Sequence, residues 1–271
     1  MFSSVKAAAR TFIARRRRSA PIRTVSRVAK FIDEAYENVG LGMEADGELE
    51  LLKRLRSCGF KTVLDVGANV GDWSVAALRA WPEAHVHAFE VAPQTFAALE
   101  ARIRAANLSG RVTLNACGLG ERTAALEMYY YPEHPDLTCD RPRHRGRDVI
   151  TFEAQVITGD EYVERQRLDD LDFIKIDVEG AERQVLQGLS RTLGSGRVRC
   201  IQFEYGAFSI DTRVLLADYY ALLAPLYWIG KLFPSHVEFR DYVWTAEDFR
   251  FANFICVSKQ WPAIRERAAQ P

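Results

Sequence analysis

One short stretch restricts this chain more than any other: Leu64-Asp-Val-Gly-Ala-Asn-Val-Gly-Asp-Trp-Ser74. The apolar, β-branched run Thr62–Val66 reads as a buried strand. A tight glycine turn follows, and a helix opens at the second glycine and continues through Arg79. Gly67 and Gly71 let the backbone approach a ligand closely, because no Cβ intervenes. The spacing D-x-G-x-x-x-G lacks the middle glycine of the dinucleotide fingerprint, the residue that admits a pyrophosphate. Asn69 at that point favours a ligand without one, and Asp65 suits the ammonium group of an amino-acid moiety.

The flanking pattern alternates strand and helix. A helical segment over Glu48–Leu55 precedes the glycine strand. His85–Glu90 reads as a second strand, Pro93–Asn107 as a helix and Val112–Ala116 as a third strand. This order predicts a Rossmann-like α/β fold with a parallel sheet and right-handed crossovers. Gly118–Pro132 reads as a hairpin turning at Glu121–Thr123. The polar stretch Pro132–Asp148 reads as a substrate loop, with His134 and His144 as loop residues or acceptor contacts. Strands are expected over Ile150–Thr158, Phe173–Asp177 and Arg199–Glu204. A helix over Thr212–Leu223 follows, and Tyr227–Leu232 and Phe251–Val257 form a closing antiparallel pair. The divisions are a basic arm with a lead-in helix at 1–46, a catalytic domain at 47–260 and a tail at 261–271.

Acidic residues sit where strands end. Glu90 closes the second strand, where this fold uses a carboxylate to accept hydrogen bonds from both ribose hydroxyls of an adenosine. Phe173-Ile-Lys-Ile-Asp177 delivers Asp177 to the carboxyl edge of the sheet, the edge at which open α/β sheets bind ligands. Glu179 and Glu182 fall at the start of the next helix, where capping competes with any chemical role.

Charge is distributed unevenly. Residues 1–32 carry nine Lys or Arg and no Asp or Glu, and the rest of the chain has 27 basic against 36 acidic residues, a charge of −9. A basic arm on an acidic body directs any anionic contact to the arm. Three readings fit the arm: a solvated tail, an amphipathic helix on the inner face of an anionic membrane, or an organellar transit peptide. Nucleic acid is not the expected partner, since no basic stripe accompanies the cleft-forming motifs. Five widely spaced cysteines without a C-x-x-C predict free thiols and a cytoplasmic setting, and no apolar run reaches membrane-spanning length.

Together LDVGANVGDWS, HAFEV, NACGLGERT, FIKIDVEGAERQVLQG and IQFEY, in order across residues 60–258, resemble the FkbM family of methyltransferases. The resemblance implies a class I methyltransferase fold: a mostly parallel seven-stranded sheet with helices on both faces and an antiparallel closing strand. It implies S-adenosylmethionine as cofactor and O-methylation of a hydroxyl on a sugar, glycoconjugate or natural-product intermediate. By position, Asp65, Gly67, Asn69 and Gly71 would hold the methionine part and Glu90 the ribose. Ala116 and Cys117 would lie by the adenine, and Asp177 beside the transferring methyl. Thr158-Gly159-Asp160 departs from the Leu-Asp pair usual before the acidic strand. Methylation of RNA or protein is the alternative.

Transfer of a methyl group to a hydroxyl also requires a proton acceptor. The candidates are Asp177, Glu204 at the end of the fifth strand and His236 in the loop between the closing strands. Asp177 and Glu204 on adjacent strand tips could hold a divalent metal, but the sequence offers no third ligand, so none is assigned.

Overall fold

The structure is a computed structural model that describes residues 2–39, 42–142 and 148–270. Contacts divide the chain into two units, Met1–Val39 and Gly40–Pro271. The first holds two helices, α1 (Phe2–Arg15) and α2 (Ala20–Tyr36), with Pro21 in the first turn of α2. Proline's fixed φ and missing N–H suit that position.

The second unit opens with α3 (Glu48–Arg54) and then alternates: β1 (Thr62–Val66), α4 (Asp72–Ala80), β2 (His85–Phe89), α5 (Pro93–Ala105) and β3 (Val112–Asn115). There follow β4 (Gly118–Gly120), β5 (Ala124–Tyr130), β6 (Ile150–Thr158), α6 (Gly159–Gln166), β7 (Leu171–Ile176), α7 (Glu182–Gly188) and α8 (Ser190–Gly194). The last elements are β8 (Val198–Tyr205), α9 (Phe208–Thr212), α10 (Leu216–Leu223), β9 (Tyr227–Phe233), β10 (His236–Phe239), β11 (Ala252–Ser258) and α11 (Pro262–Ala269).

Among the described residues the main sheet runs β10-β9-β11-β8-β7-β1-β2-β3. From β8 to β3 its neighbours pair in parallel, whereas β11 is antiparallel to both β8 and β9. The expected class is therefore present. The strand count rises to eight because Pro234 and Ser235 turn the chain back, adding β10 as an edge strand against β9.

Every residue of β7 is buried, as a central parallel strand covered on both faces requires. Side-chain alternation splits its apolar residues between two cores. Leu64, Val66, Ile174, Ile176, Ile201 and Phe203 pack with residues of α6, α7 and α10. On the other face Val63, Val86 and Phe173 pack with Leu51, Leu52, Trp73 and Trp81. Ile264 and Ala268 of α11 join this second core, so the expected tail at 261–271 is a packed helix over most of its length.

Two further expectations are corrected. β4 and β5 do not form a hairpin: β6 lies between them, parallel to β4 and antiparallel to β5. The turn at Glu121–Thr123 exists, but β6 is long enough to offer ladders on both edges. Glycines in β4 let it approach; a Cβ on Gly120 would lie 2.8 Å from Val156. This small sheet also docks on α7, where a Cβ on Gly188 would lie 1.9 Å from the Gly120 carbonyl oxygen. The helix expected from Thr212 instead breaks at Arg213, whose φ is +57°, and resumes at Leu216. There Asp218 accepts a hydrogen bond from the Leu215 N–H. His144 lies outside the described residues.

Candidate active site

The glycine turn is built from left-handed backbone. Gly67, Asn69 and Gly71 have φ of +82°, +47° and +88°. Asn is the residue other than glycine that most readily accepts such angles, which adds a local reason for Asn69. A Cβ at position 67 would lie 1.8 Å from the carbonyl oxygen of Asp177. Glycine here brings the tips of β1 and β7 into backbone contact. Gly71 leaves room for Leu99 of α5 at the start of α4.

Glu90, just past β2, ties the turn to its neighbour strand. Its Oε2 accepts from the Asn69 N–H at 3.0 Å and its Oε1 from the Ala92 N–H at 2.8 Å. Burial pushes its carboxyl pKa up, and the backbone donors at Ala92, Asn69 and Val91 oppose that. Each carboxylate oxygen has two lone pairs, so Glu90 retains acceptor capacity toward a ligand.

A cavity of about 300 Å³ opens at this edge, at the lower end of the range for small-molecule sites. Gly67, Asn69, Glu90, Cys117 and Asp177 all line it. The small sheet supplies Leu126, Met128 and Val156, and the loop between β5 and β6 supplies Asp136, Thr138 and Asp140. Asn69 Oδ1 is buried without a hydrogen-bond partner. A polar atom left unmatched on a cavity wall fits a site meant for a polar ligand.

Three residues assigned to the cofactor from sequence are not on that wall. Asp65 is fully buried beneath it, accepting from Ser74 Oγ at 2.5 Å, with Oδ1 4.0 Å from Lys175 Nζ. Gly71 caps α4, and Ala116 is exposed. Cys117 stays half-buried, and burial raises its thiol pKa. All five cysteines are free thiols.

Lys175 is the residue that sequence reasoning passed over. Asp65, Lys175 and Gln202 stand side by side in register on β1, β7 and β8, facing the side that α3 covers. Lys175 Nζ donates to Asp177 Oδ2 at 2.9 Å. Burial works against its ammonium, but the carboxylates of Asp177, Asp65 and Glu48 reverse that and raise its pKa overall. Gln202 donates to Glu48 Oε1 at 2.5 Å and to Asn253 Oδ1 at 2.9 Å, and Asn253 donates to Asp46. Burial pushes the Glu48 carboxyl to about 8. The available signal was periodicity: a lysine in an otherwise apolar strand must find an anion.

The candidate bases separate clearly. One carboxylate oxygen from each of Asp177, Glu179 and Glu204 lies within 4.8 Å of the other two. Glu179, expected only at the start of the next helix, is thus the third acidic group of the cluster. Its backbone is left-handed at φ +54°, a local geometry that a strand-to-helix pattern does not announce. Three such carboxylates could also accept a divalent cation. The Glu204 pKa is raised well above the ordinary carboxylate range, by burial first and then by Asp177, Glu179 and Glu182.

Glu182, the first residue of α7, folds back on the preceding turn and does not cap the helix: its Oε1 accepts from the N–H groups of Val178 and Gly180 at 3.1 and 3.0 Å. His236 does not join the cluster. It lies on β10, four strands from β7, where its ring stacks on Phe233 with centroids 5.4 Å apart. At roughly 4.8 Å per strand that is far beyond proton-transfer reach.

A parallel sheet closed by an antiparallel strand, with a glycine turn and acidic strand tips around one cavity, is the architecture of the class I methyltransferase fold. The chain belongs to the methyltransferase FkbM domain family, whose family model matches residues 65–251. The 31-O-demethyl-FK506 methyltransferase FkbM of Streptomyces tacrolimicus is 33% identical over 154 residues, 47% of this chain and 58% of that protein. The hexuronic acid methyltransferase AglP of Haloferax volcanii is 26% identical over 192 residues, 70% of this chain and 76% of that one. The match thus spans little more than half the length of the first relative. Among solved structures, the FkbM methyltransferase of Methylobacillus flagellatus aligns with a TM-score of 0.47 at 19% identity, covering 73% of this chain and 44% of that one.

Proposed function

We propose that this chain is an S-adenosylmethionine-dependent O-methyltransferase, acting on a hydroxyl of a sugar, glycoconjugate or related natural-product intermediate. The observation that carries the proposal is convergence. Gly67, Asn69, Glu90 and Cys117 share one cavity with Asp177, and Asp177 adjoins two further carboxylates. Two relatives, a 31-O-demethyl-FK506 methyltransferase and a hexuronic acid methyltransferase, support the acceptor class.

S-adenosylmethionine, when bound, supplies an electrophilic methyl. The chain's own residues do the rest. Glu90 would accept hydrogen bonds from the cofactor's ribose hydroxyls, Asn69 would offer its unmatched Oδ1, and Cys117 would flank the cofactor's base. Asp177 is held at the strand tip by its 2.9 Å contact with Lys175. Glu204 takes the acceptor's proton, because a carboxyl whose pKa is raised is the stronger base once ionised. The walls from β5, β6 and the loop between them would enclose the acceptor, so positioning contributes much of the rate.

The test is calorimetric titration of S-adenosylmethionine into the full chain and Glu90→Ala, followed by a screen of acidic and neutral saccharides with methyl release as the readout. Binding weakened by roughly tenfold or more in the variant, since two hydroxyl contacts are lost, is the expected result. A folded chain that binds no S-adenosylmethionine sinks the proposal. Binding with methylation of RNA or protein alone would replace the acceptor class.

A further inference from the structure

Both helices of the first unit turn apolar side chains outward. In α2, Val25, Val28, Ile32 and Tyr36 recur at helical spacing on one stripe, and they are 64%, 52%, 60% and 78% exposed. No residue of α2 is buried. Arg23, Arg27 and Lys30 occupy the opposite side of the helix. In α1, Val5, Phe12 and Ile13 are about half or more exposed, with Lys6, Arg10 and Arg15 around them. The arginine tract 15–18 joins the two helices. A continuous stripe of large aliphatic and aromatic side chains in water calls for a cover.

We propose that α1 and α2 lie along the surface of an anionic lipid bilayer, apolar stripe inward and basic side chains among the headgroups. Charge selects this occupant. With nine basic and no acidic residues in positions 1–32, a second copy of the helix pair would bring like charges together. A nucleic acid would match the charge but leave the stripe in water. A bilayer with anionic lipid answers both features, since it offers negative headgroups above an apolar layer. Among the described residues no helix is long and apolar enough to cross a membrane, and the length and amphipathicity of α2 suit lying in the interface.

Vesicle flotation of the full chain tests this. Two vesicle types serve, phosphatidylcholine alone and phosphatidylcholine with phosphatidylglycerol at about 2:1. The chain is expected to float with the anionic vesicles and not with the neutral ones. The triple variant Val25→Ser/Val28→Ser/Ile32→Ser keeps every charge and is expected to bind roughly tenfold or more weakly. Unchanged circular dichroism would show that the body remains folded. Failure of the wild-type chain to float with anionic vesicles overturns the proposal. So does a triple variant that binds like wild type, which would mean a merely electrostatic tail. Dimerisation in sedimentation velocity that the triple variant abolishes, without vesicle binding, would assign the stripe to a second copy. None of these outcomes depends on methyl transfer, so they are separable from the test of the activity.

Discussion

Asp65 and Lys175 occupy directly paired positions on β1 and β7, and their charged ends face each other 4.0 Å apart inside the sheet. Asp65 Oδ1 has no hydrogen-bond partner, so Lys175 is its main compensation. The 40% exposed Asp177 at the other end of the lysine has water as well, and that contact is correspondingly screened.

Removing the cation alone should therefore cost more than removing the pair. Lys175→Met is expected to destabilise the domain by about 3 kcal/mol, because it strands a buried carboxylate. The double variant Asp65→Leu/Lys175→Met should recover part of that loss. Urea unfolding of the two singles and the double measures the coupling. Additive effects would show that the two charges do not compensate each other.

Glu204 is expected to act as the base. Its raised pKa places its ionisation above the usual carboxylate range, so kcat/KM should climb with pH along that limb and then level off. Glu204→Gln should lower the rate by roughly 10²- to 10⁴-fold and remove the limb. Asp177→Asn serves as the comparison. A rate limb that survives in Glu204→Gln would move the role to another group.

Gly67→Ala would place a methyl against the Asp177 carbonyl, at a backbone φ of +82°. Both problems act at once, and a loss of about 3 kcal/mol or more is expected, together with weakened S-adenosylmethionine binding. Thermal unfolding and calorimetry check the two effects. A variant as stable as wild type would contradict the backbone contact between β1 and β7.

Stability should also depend on pH through Glu182, whose folded-state pKa burial pushes from 4.5 to about 7. A carboxyl raised in the folded state binds its proton more tightly folded than unfolded. Its contribution is therefore full below pH 4.5 and is lost as pH rises through about 7, a change on the order of 3 kcal/mol. Glu182→Gln keeps an acceptor for Val178 and Gly180 without titrating. Relative to wild type it should gain stability between about pH 5 and about pH 8 in urea unfolding. An unchanged difference across that window would contradict the assignment.

The parallel half of the fold was legible because its signals are local: β-branched runs, glycine turns and acids at strand ends. Gly67, Asn69, Glu90, Cys117 and Asp177 line one cavity. Partner choice was less legible. The hairpin expected over Gly118–Pro132 did not foresee that β6 would separate β5 from β4, because periodicity carries no information about neighbours. Asp65 looked like a ligand because sequence shows which strand an acid ends, not which face it turns to. Lys175 decides that, and its pairing is a matter of register across β1 and β7. His236 illustrates the converse: a short turn converts a loop residue into an edge-strand residue far from the cluster.

The docking of Gly188 on Gly120 has a consequence for how such a site can diversify. Backbone meets backbone there, so the spacing between α7 and the small sheet is independent of which side chains either element carries. Substitutions at Leu126 or Met128 can reshape the cavity wall while the backbone seat of the small sheet on α7 stays in place. Two glycines thus act as a fixed pin in evolutionary terms: the lining of the cavity can change without shifting the frame that carries it.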